Sequence, residues 1–189
     1  MTPTHPPSTP TAPSDVALLL EALDFAADKH RDQRRKGASA VPYINHPIAV
    51  ARLLATTGGV TDLDVLRAAI LHDTVEDTDA TFAELEARFG ARTTGFVREV
   101  TDDKSLAKAE RKALQVAHAA GKSTGAALVK LADKTCNLRD IAASPPEHWP
   151  LERQQAYFDW AHAVVDRLPP VDTALRAAFD DALRRRPAR

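Results

Sequence analysis

Val16, Leu19, Leu20, Leu23, Ala26 and Ala27 recur at three- and four-residue steps, and similar apolar stripes return along most of the chain. That period marks amphipathic helices. Ser14 or Asp15 can cap the first of them. It is expected to end in the charged run of residues 31–36, before Gly37, with a loop over residues 37–45. Pro47 suits the first position of a second helix, which should reach about Thr57 and stop at Gly58-Gly59. Thr61 with Asp64 resembles a capping box and opens a third helix carrying Val65, Leu66, Ala69 and Ile70. Thr81 with Glu84 repeats the signature for a short helix ending at Gly90. Further helices are expected over residues 93–100, 107–119, 125–141, 151–168 and 173–185. Pro145, Pro146 and Pro150 mark the loop before Leu151. No segment alternates with period two. The expected fold is therefore all-α, a helical bundle with sites built between facing helices.

Composition removes several classes of function. Of 189 residues, 44% are hydrophobic and 27% charged, which excludes general disorder. A net charge of -1 excludes a global basic footprint, so no nucleic-acid partner is expected. No apolar run approaches the roughly 18 residues of a membrane span. The single cysteine, Cys136, cannot form an intramolecular disulfide and fits a reducing, cytoplasmic setting. Residues 1–14 are rich in Pro and Thr and are expected to be a disordered tail. Residues 15–186 are expected to form a single domain.

Residues 71–79 read Leu-His-Asp-Thr-Val-Glu-Asp-Thr-Asp. A helix C-terminus carries partial negative charge, so the acidic cluster Asp73, Glu76 and Asp77 is out of place at the expected end of the third helix. His72 with Glu76, and Asp73 with Asp77, are spaced to share a face. A bound divalent cation would turn this repulsion into coordination. His46 sits in Tyr-Ile-Asn-His-Pro just before a helix. Asp133 lies on an apolar helix, where an unpaired carboxylate is costly. Together His46, His72, Asp73 and Asp133 supply two imidazoles and two carboxylates. Mixed N/O ligation suits Mn²⁺, Fe²⁺ or Zn²⁺ better than Ca²⁺.

The order His46 … His72-Asp73 … Asp133 resembles the signature of HD-domain metal-dependent phosphohydrolases. The segments around Tyr43–His46, Leu71–Thr78, Glu99–Lys104 and Lys130–Asp140 are similar to the hydrolase domain of the RelA/SpoT family, and most of all to its stand-alone small alarmone hydrolases, including the metazoan type. The resemblance runs from about Leu18 to Arg185. It stops where a synthetase domain would begin in the long members, so hydrolysis alone is expected. Thr135-Cys136 departs from the bulkier residues common there.

The resemblance implies an HD-domain bundle in which His46, His72, Asp73 and Asp133 bind a metal, typically Mn²⁺. It assigns Glu76 and Asp77 to the catalytic machinery. It places Arg35, Lys36, Lys108, Asn137, Arg153 and Tyr157 at the substrate. The implied reaction removes the 3′-pyrophosphate from guanosine tetra- or pentaphosphate, giving GDP or GTP and lowering the stringent-response alarmone. An NADPH 2′-phosphatase at the same site is the alternative, and a nucleotide-binding module without turnover is another.

The chemistry suits the residues. A metal lowers the pKa of bound water and polarises a phosphoryl oxygen. Two carboxylate ligands leave the cation less acidic, so a nearby base is useful, and either Glu76 or Asp77 can serve. Arg35 offers a bidentate fork and Lys36 a point charge. Among Lys104, Lys108, Arg111 and Lys112, only Lys108 is expected at the site. Phe158 and Trp160 are read as packing, Cys136 as a small packed residue, and His30, His118, His148 and His162 as structural or surface.

Overall fold

The structure is a computed structural model that describes residues 12–37 and 40–188. Nearly all of the expected tail lies outside the described residues. The chain forms α1 (Asp15–Lys29), α2 (Asn45–Thr56), α3 (Leu63–Leu71), α4 (Thr74–Asp77) and α5 (Phe82–Val100). It continues through α6 (Lys108–His118), a 3₁₀ turn (Ala119–Gly121), α7 (Thr124–Ala143), α8 (Leu151–Val165) and α9 (Thr173–Arg184). Among the described residues there is no strand, only isolated bridges pairing Arg34 with Pro42 and Gly37 with Pro146. No helix is long and apolar enough to cross a membrane.

Side-chain caps start several of these helices. Ser14, Thr81 and Ser123 each accept a first-turn N–H, as does Asp172 at α9. At α3 the cap is Asp62, one residue past the expected Thr61. Its carboxylate accepts from Asp64 N–H at 3.0 Å and also holds Arg92, two tasks a threonine hydroxyl cannot combine. The first helix ends at Lys29, short of the charged run. Residues 33–35 are extended instead, because Arg35 N–H donates to Val41 O and Tyr43 N–H to Gln33 O. The two helices expected around Gly90 meet there without a gap, with Gly90 at φ 84° turning the path. α8 stops at Val165 rather than Leu168, since Leu168 precedes Pro169-Pro170.

Two helices are central. α3 packs against α1, α2, α5 and α7, and α7 packs against α2, α3, α5, α8 and α9. α7 is correspondingly buried around most of its girth, from Gly125 through Cys136 apart from the half-buried Leu128. Such burial leaves its polar residues dependent on partners. Lys130 finds one by donating to Val100 O at 2.9 Å. Phe158 of α8 and Phe179 of α9 are fully buried in the same core.

The turn after α2 is fitted closely to α9. A Cβ on Gly58 would lie 2.6 Å from Leu175 Cδ1 and 2.9 Å from the Leu54 carbonyl oxygen. Gly58→Ala is therefore expected to cost about 1–3 kcal/mol through overpacking. For a chain of this size that lowers Tm by roughly 2–4 °C per kcal/mol. A thermal melt checks it, and an unchanged Tm would show that the α2–α9 contact yields freely.

Candidate metal centre and nucleotide pocket

His46 comes from the first turn of α2, His72 and Asp73 from the break between α3 and α4, and Asp133 from the middle of α7. Their donor atoms converge. His46 Nε2 lies 3.2 Å from Asp133 Oδ1 and 3.9 Å from Asp73 Oδ2. His72 Nε2 lies 3.1 Å from Asp73 Oδ2 and 3.8 Å from Asp133 Oδ1. His46, His72 and Asp133 are buried, with one donor atom from each within 4.8 Å of the others.

The donor set fits a divalent cation. His72 Nδ1 lies 2.8 Å from the Ala69 carbonyl, which can only accept, so Nδ1 carries a proton and Nε2 is the atom turned toward the centre. That Nε2 is buried without a hydrogen-bond partner and faces the two carboxylates. Burial opposes charge on His72, but Asp73 and then Asp133 overcome it and push its pKa up to about 9. Burial would likewise neutralise Asp73 and Asp133. The His72 imidazole beside Asp73, and Lys134 beside Asp133, outweigh burial and hold both acids well below the usual carboxylate range. Burial keeps His46 low. Without an ion the cluster thus balances two anionic carboxylates with a His72 held toward its charged form, and a divalent cation would take the place of that charge.

Surrounding groups orient the candidate ligands. The Tyr43 hydroxyl donates to Asp73 Oδ2 at 2.5 Å, and burial together with Asp73 keeps that phenol protonated. Lys134, itself buried, places its ammonium 3.3 Å from Asp133 Oδ2, leaving Oδ1 for the centre. Asn137 Nδ2 donates to Asp133 Oδ1 at 2.5 Å, and its Oδ1 accepts from Arg35 at 2.8 Å. Arg35 also pairs with Asp140 at 2.5 Å. A single amide therefore joins a candidate ligand to a candidate phosphate-binding arginine.

Glu76 and Asp77 do not share a helix with His72 and Asp73. α3 ends at Leu71, and Asp73 has φ -101° and ψ -3° before α4 begins. The single helix expected to carry all four is therefore interrupted, although Asp77 N–H still donates to the Asp73 carbonyl at 2.9 Å, one turn on. Side chains supply the break: His72 Nδ1 takes the Ala69 carbonyl, and Thr74 Oγ1 takes that of Leu71 at 2.7 Å. Carbonyls left over at the helix end are satisfied without continuing it. Glu76 Oε2 accepts from Asp102 N–H at 3.0 Å, and Oε1 lies 3.7 Å from Arg111. Burial raises the Glu76 pKa. Asp77 accepts from Gln33 Nε2 at 3.1 Å and from Lys104 Nζ at 2.5 Å.

A cavity of about 450 Å³ opens beside these groups, lined by Arg35, Lys36, Tyr43, Asp77, Asn137 and Tyr157 among others. A second of about 240 Å³ shares Lys36, Trp149 and Tyr157 with it and adds Glu76, Lys108, Arg111, Lys112 and Arg153. Each of the six expected substrate residues lines one cavity or both. Cationic side chains outnumber carboxylates in the smaller one, which favours an anion.

Several residues stand differently from expectation. Arg111 and Lys112, read as surface, are half-buried; Arg111 faces Glu76, and Lys112 Nζ lies 4.5 Å from the Trp160 ring centre. Their amphipathic helix turns its cations inward because Glu76 and the aromatic rings lie there. Trp160 lines the smaller cavity as well as packing, and its indole N–H donates to the Lys112 carbonyl at 3.0 Å. Tyr43, Gln33, Trp149 and Lys134 were not expected at the site. Only Lys134, next to Asp133, carried a local signal: a lysine inside an apolar helix. Phe158 is core, and Cys136 is a buried free thiol that burial pushes up to about 12.

A helical frame presenting His, His-Asp and Asp from separate segments to one centre defines a class, and the chain belongs to the HD-domain family, which it matches over residues 22–159. Within that class it groups with guanosine-3′,5′-bis(diphosphate) 3′-pyrophosphohydrolases named MESH1. It is 55% identical to the Homo sapiens protein over 173 residues, covering 92% of this chain and 97% of that one. Identity to the Drosophila melanogaster protein is 50% over 170 residues, covering 90% and 95%. A solved structure described as a metazoan orthologue of SpoT that hydrolyses ppGpp superposes with a TM-score of 0.88 at 50% identity, covering 94% of this chain and 98% of that one.

Proposed function

We propose that this protein hydrolyses guanosine tetra- and pentaphosphate at the 3′ position, releasing pyrophosphate and GDP or GTP. The observation that carries the proposal is the convergence of His46, His72, Asp73 and Asp133 donor atoms at 3.1–3.9 Å spacings beside a cation-lined cavity. These four residues would hold the metal, and Mn²⁺ suits their mixed N/O character. Such a cation lowers the pKa of a water and polarises a phosphoryl oxygen. The names of the relatives support the substrate.

The remaining roles follow from charge and position. Arg35 and Lys36 at the larger cavity, and Lys108 and Arg153 at the smaller, bind and orient phosphate groups. Asn137 holds Arg35 in register with Asp133. Tyr157 and Trp149 give both cavities an apolar wall for the nucleoside. Water attacks the 3′-proximal phosphorus, and the bond to the ribose 3′-oxygen breaks. Glu76, whose proton affinity burial has raised, accepts the water proton, with Asp77 as the neighbouring alternative. We read residues 15–186 as one hydrolase domain working in the cytoplasm, in keeping with a single free Cys136.

Product analysis tests this. Purified protein with Mn²⁺ and guanosine tetraphosphate is expected to yield pyrophosphate and GDP in equal amounts, and a chelator to stop it. Orthophosphate released from NADPH, with no pyrophosphate from the alarmone, would transfer the site to 2′-phosphatase chemistry. Binding of the alarmone without turnover would make it a sensor.

A further inference from the structure

We infer that His30 is a positioning residue for Asp77, acting through the side-chain amide of Gln33. The inference rests on the reading of Asp77 as part of the catalytic pair. His30 follows the last turn of α1 and is 2% exposed, beyond the reach of any substrate. Its Nδ1 lies 2.7 Å from Gln33 Oε1, and Gln33 Nε2 lies 3.1 Å from Asp77 Oδ2.

Donor and acceptor roles along this chain are fixed from its far end. The Asp77 carboxylate accepts, with Lys104 on its other oxygen. Gln33 must therefore turn its NH₂ toward Asp77 and its carbonyl toward His30. Nδ1 of His30 must then carry a proton. The opposite tautomer would set two lone pairs against each other at 2.7 Å. It would also put an N–H on Nε2, which is buried with no hydrogen-bond partner. A buried ring thus locks an amide that could otherwise flip, and the amide locks a carboxylate at the cavity wall. The same ring lies against Tyr43, tilted by 35° with centroids 4.9 Å apart, and Tyr43 holds Asp73.

A packing histidine and a positioning histidine differ in measurable ways. His30→Ala and Gln33→Leu are each expected to lower kcat on guanosine tetraphosphate by about 10- to 100-fold, the scale of a misplaced catalytic group. KM should change little. The double variant should be no slower than the slower single one, because both break the same chain. His30→Asn keeps an N–H near the Nδ1 position but loses the ring. It is expected to melt lower while keeping most of kcat, a separation that a packing role does not produce. His30→Asn and Gln33→Leu decide the matter even if His30→Ala fails to fold. Long-range ¹⁵N–¹H spectra of the wild-type protein read the ring without substrate, and a proton on Nδ1 is expected. Asp77→Ala should then shift the Gln33 side-chain amide resonances. A neutral ring protonated on Nε2, or additive losses in the double variant, overturns the inference. A wild-type protein inactive on the alarmone overturns the proposed function instead, and the spectra still decide the relay.

Discussion

Asp73→Ala is expected to lose Mn²⁺ binding and hydrolysis together. Asp73 is proposed to supply one of two carboxylates to the centre, and its Oδ2 lies within 4 Å of both imidazole Nε2 atoms. Removing it leaves two imidazoles and one carboxylate, takes away the group that most raises the His72 pKa, and strands the half-buried Tyr43 hydroxyl. The catalytic loss should be at least about 10³-fold, since a metal's charge stabilisation is worth several kcal/mol and each tenfold in rate is about 1.4 kcal/mol. Calorimetric titration with Mn²⁺ and the pyrophosphate assay read the two effects. Asp73→Asn preserves the shape and an acceptor for Tyr43, so it separates lost charge from lost packing. Tight Mn²⁺ binding by Asp73→Ala would remove Asp73 from the ligand set.

Glu76→Gln should behave in the opposite way toward the metal. Glu76 lies on α4, tied to Asp102 N–H and facing Arg111, so its loss should leave Mn²⁺ affinity nearly unchanged. As a general base it should account for about 10²–10⁴ in kcat. The pH profile gives the sign. Burial raises the Glu76 pKa above its ordinary 4.5, and a base must be ionised to act. Activity should therefore fall on acidification through a pH above that of an ordinary glutamate. Glu76→Gln should flatten this limb. A limb that survives in Glu76→Gln assigns the proton to Asp77.

These roles were legible in the sequence to different degrees, for physical reasons. The starts of helices with polar caps could be placed, because Ser14 and Thr81 form the very hydrogen bonds their spacing suggests, whereas the ends of both helices could not. Of the four candidate ligands, Asp73 and Asp133 stood out in the sequence as carboxylates in acidic or apolar settings, whereas His46 and His72 gained their meaning from the order in which they accompany those acids. The break at His72-Asp73 was not, since no Gly or Pro marks it and the hydrogen bonds that end α3 come from His72 and Thr74 side chains. Tyr43, Trp149 and Gln33 sit in irregular segments where periodicity carries no information. Their places are set by contacts across the fold, such as the 44-residue separation between Gln33 and Asp77. The inward turn of Arg111 and Lys112 was hidden similarly, because an amphipathic helix looks alike whether its polar face meets solvent or a carboxylate.

His46 and Asp133 lie 87 residues apart along the chain yet 3.2 Å apart in space. An ion gripped there clips α2, the α3–α4 junction and α7 to one another. The unfolded chain offers no such grip, so the ion's affinity adds directly to the folding equilibrium. Closing a loop that long is entropically demanding, and the clip bears on that cost. Metal supply would then govern how long the protein survives as well as how fast it works.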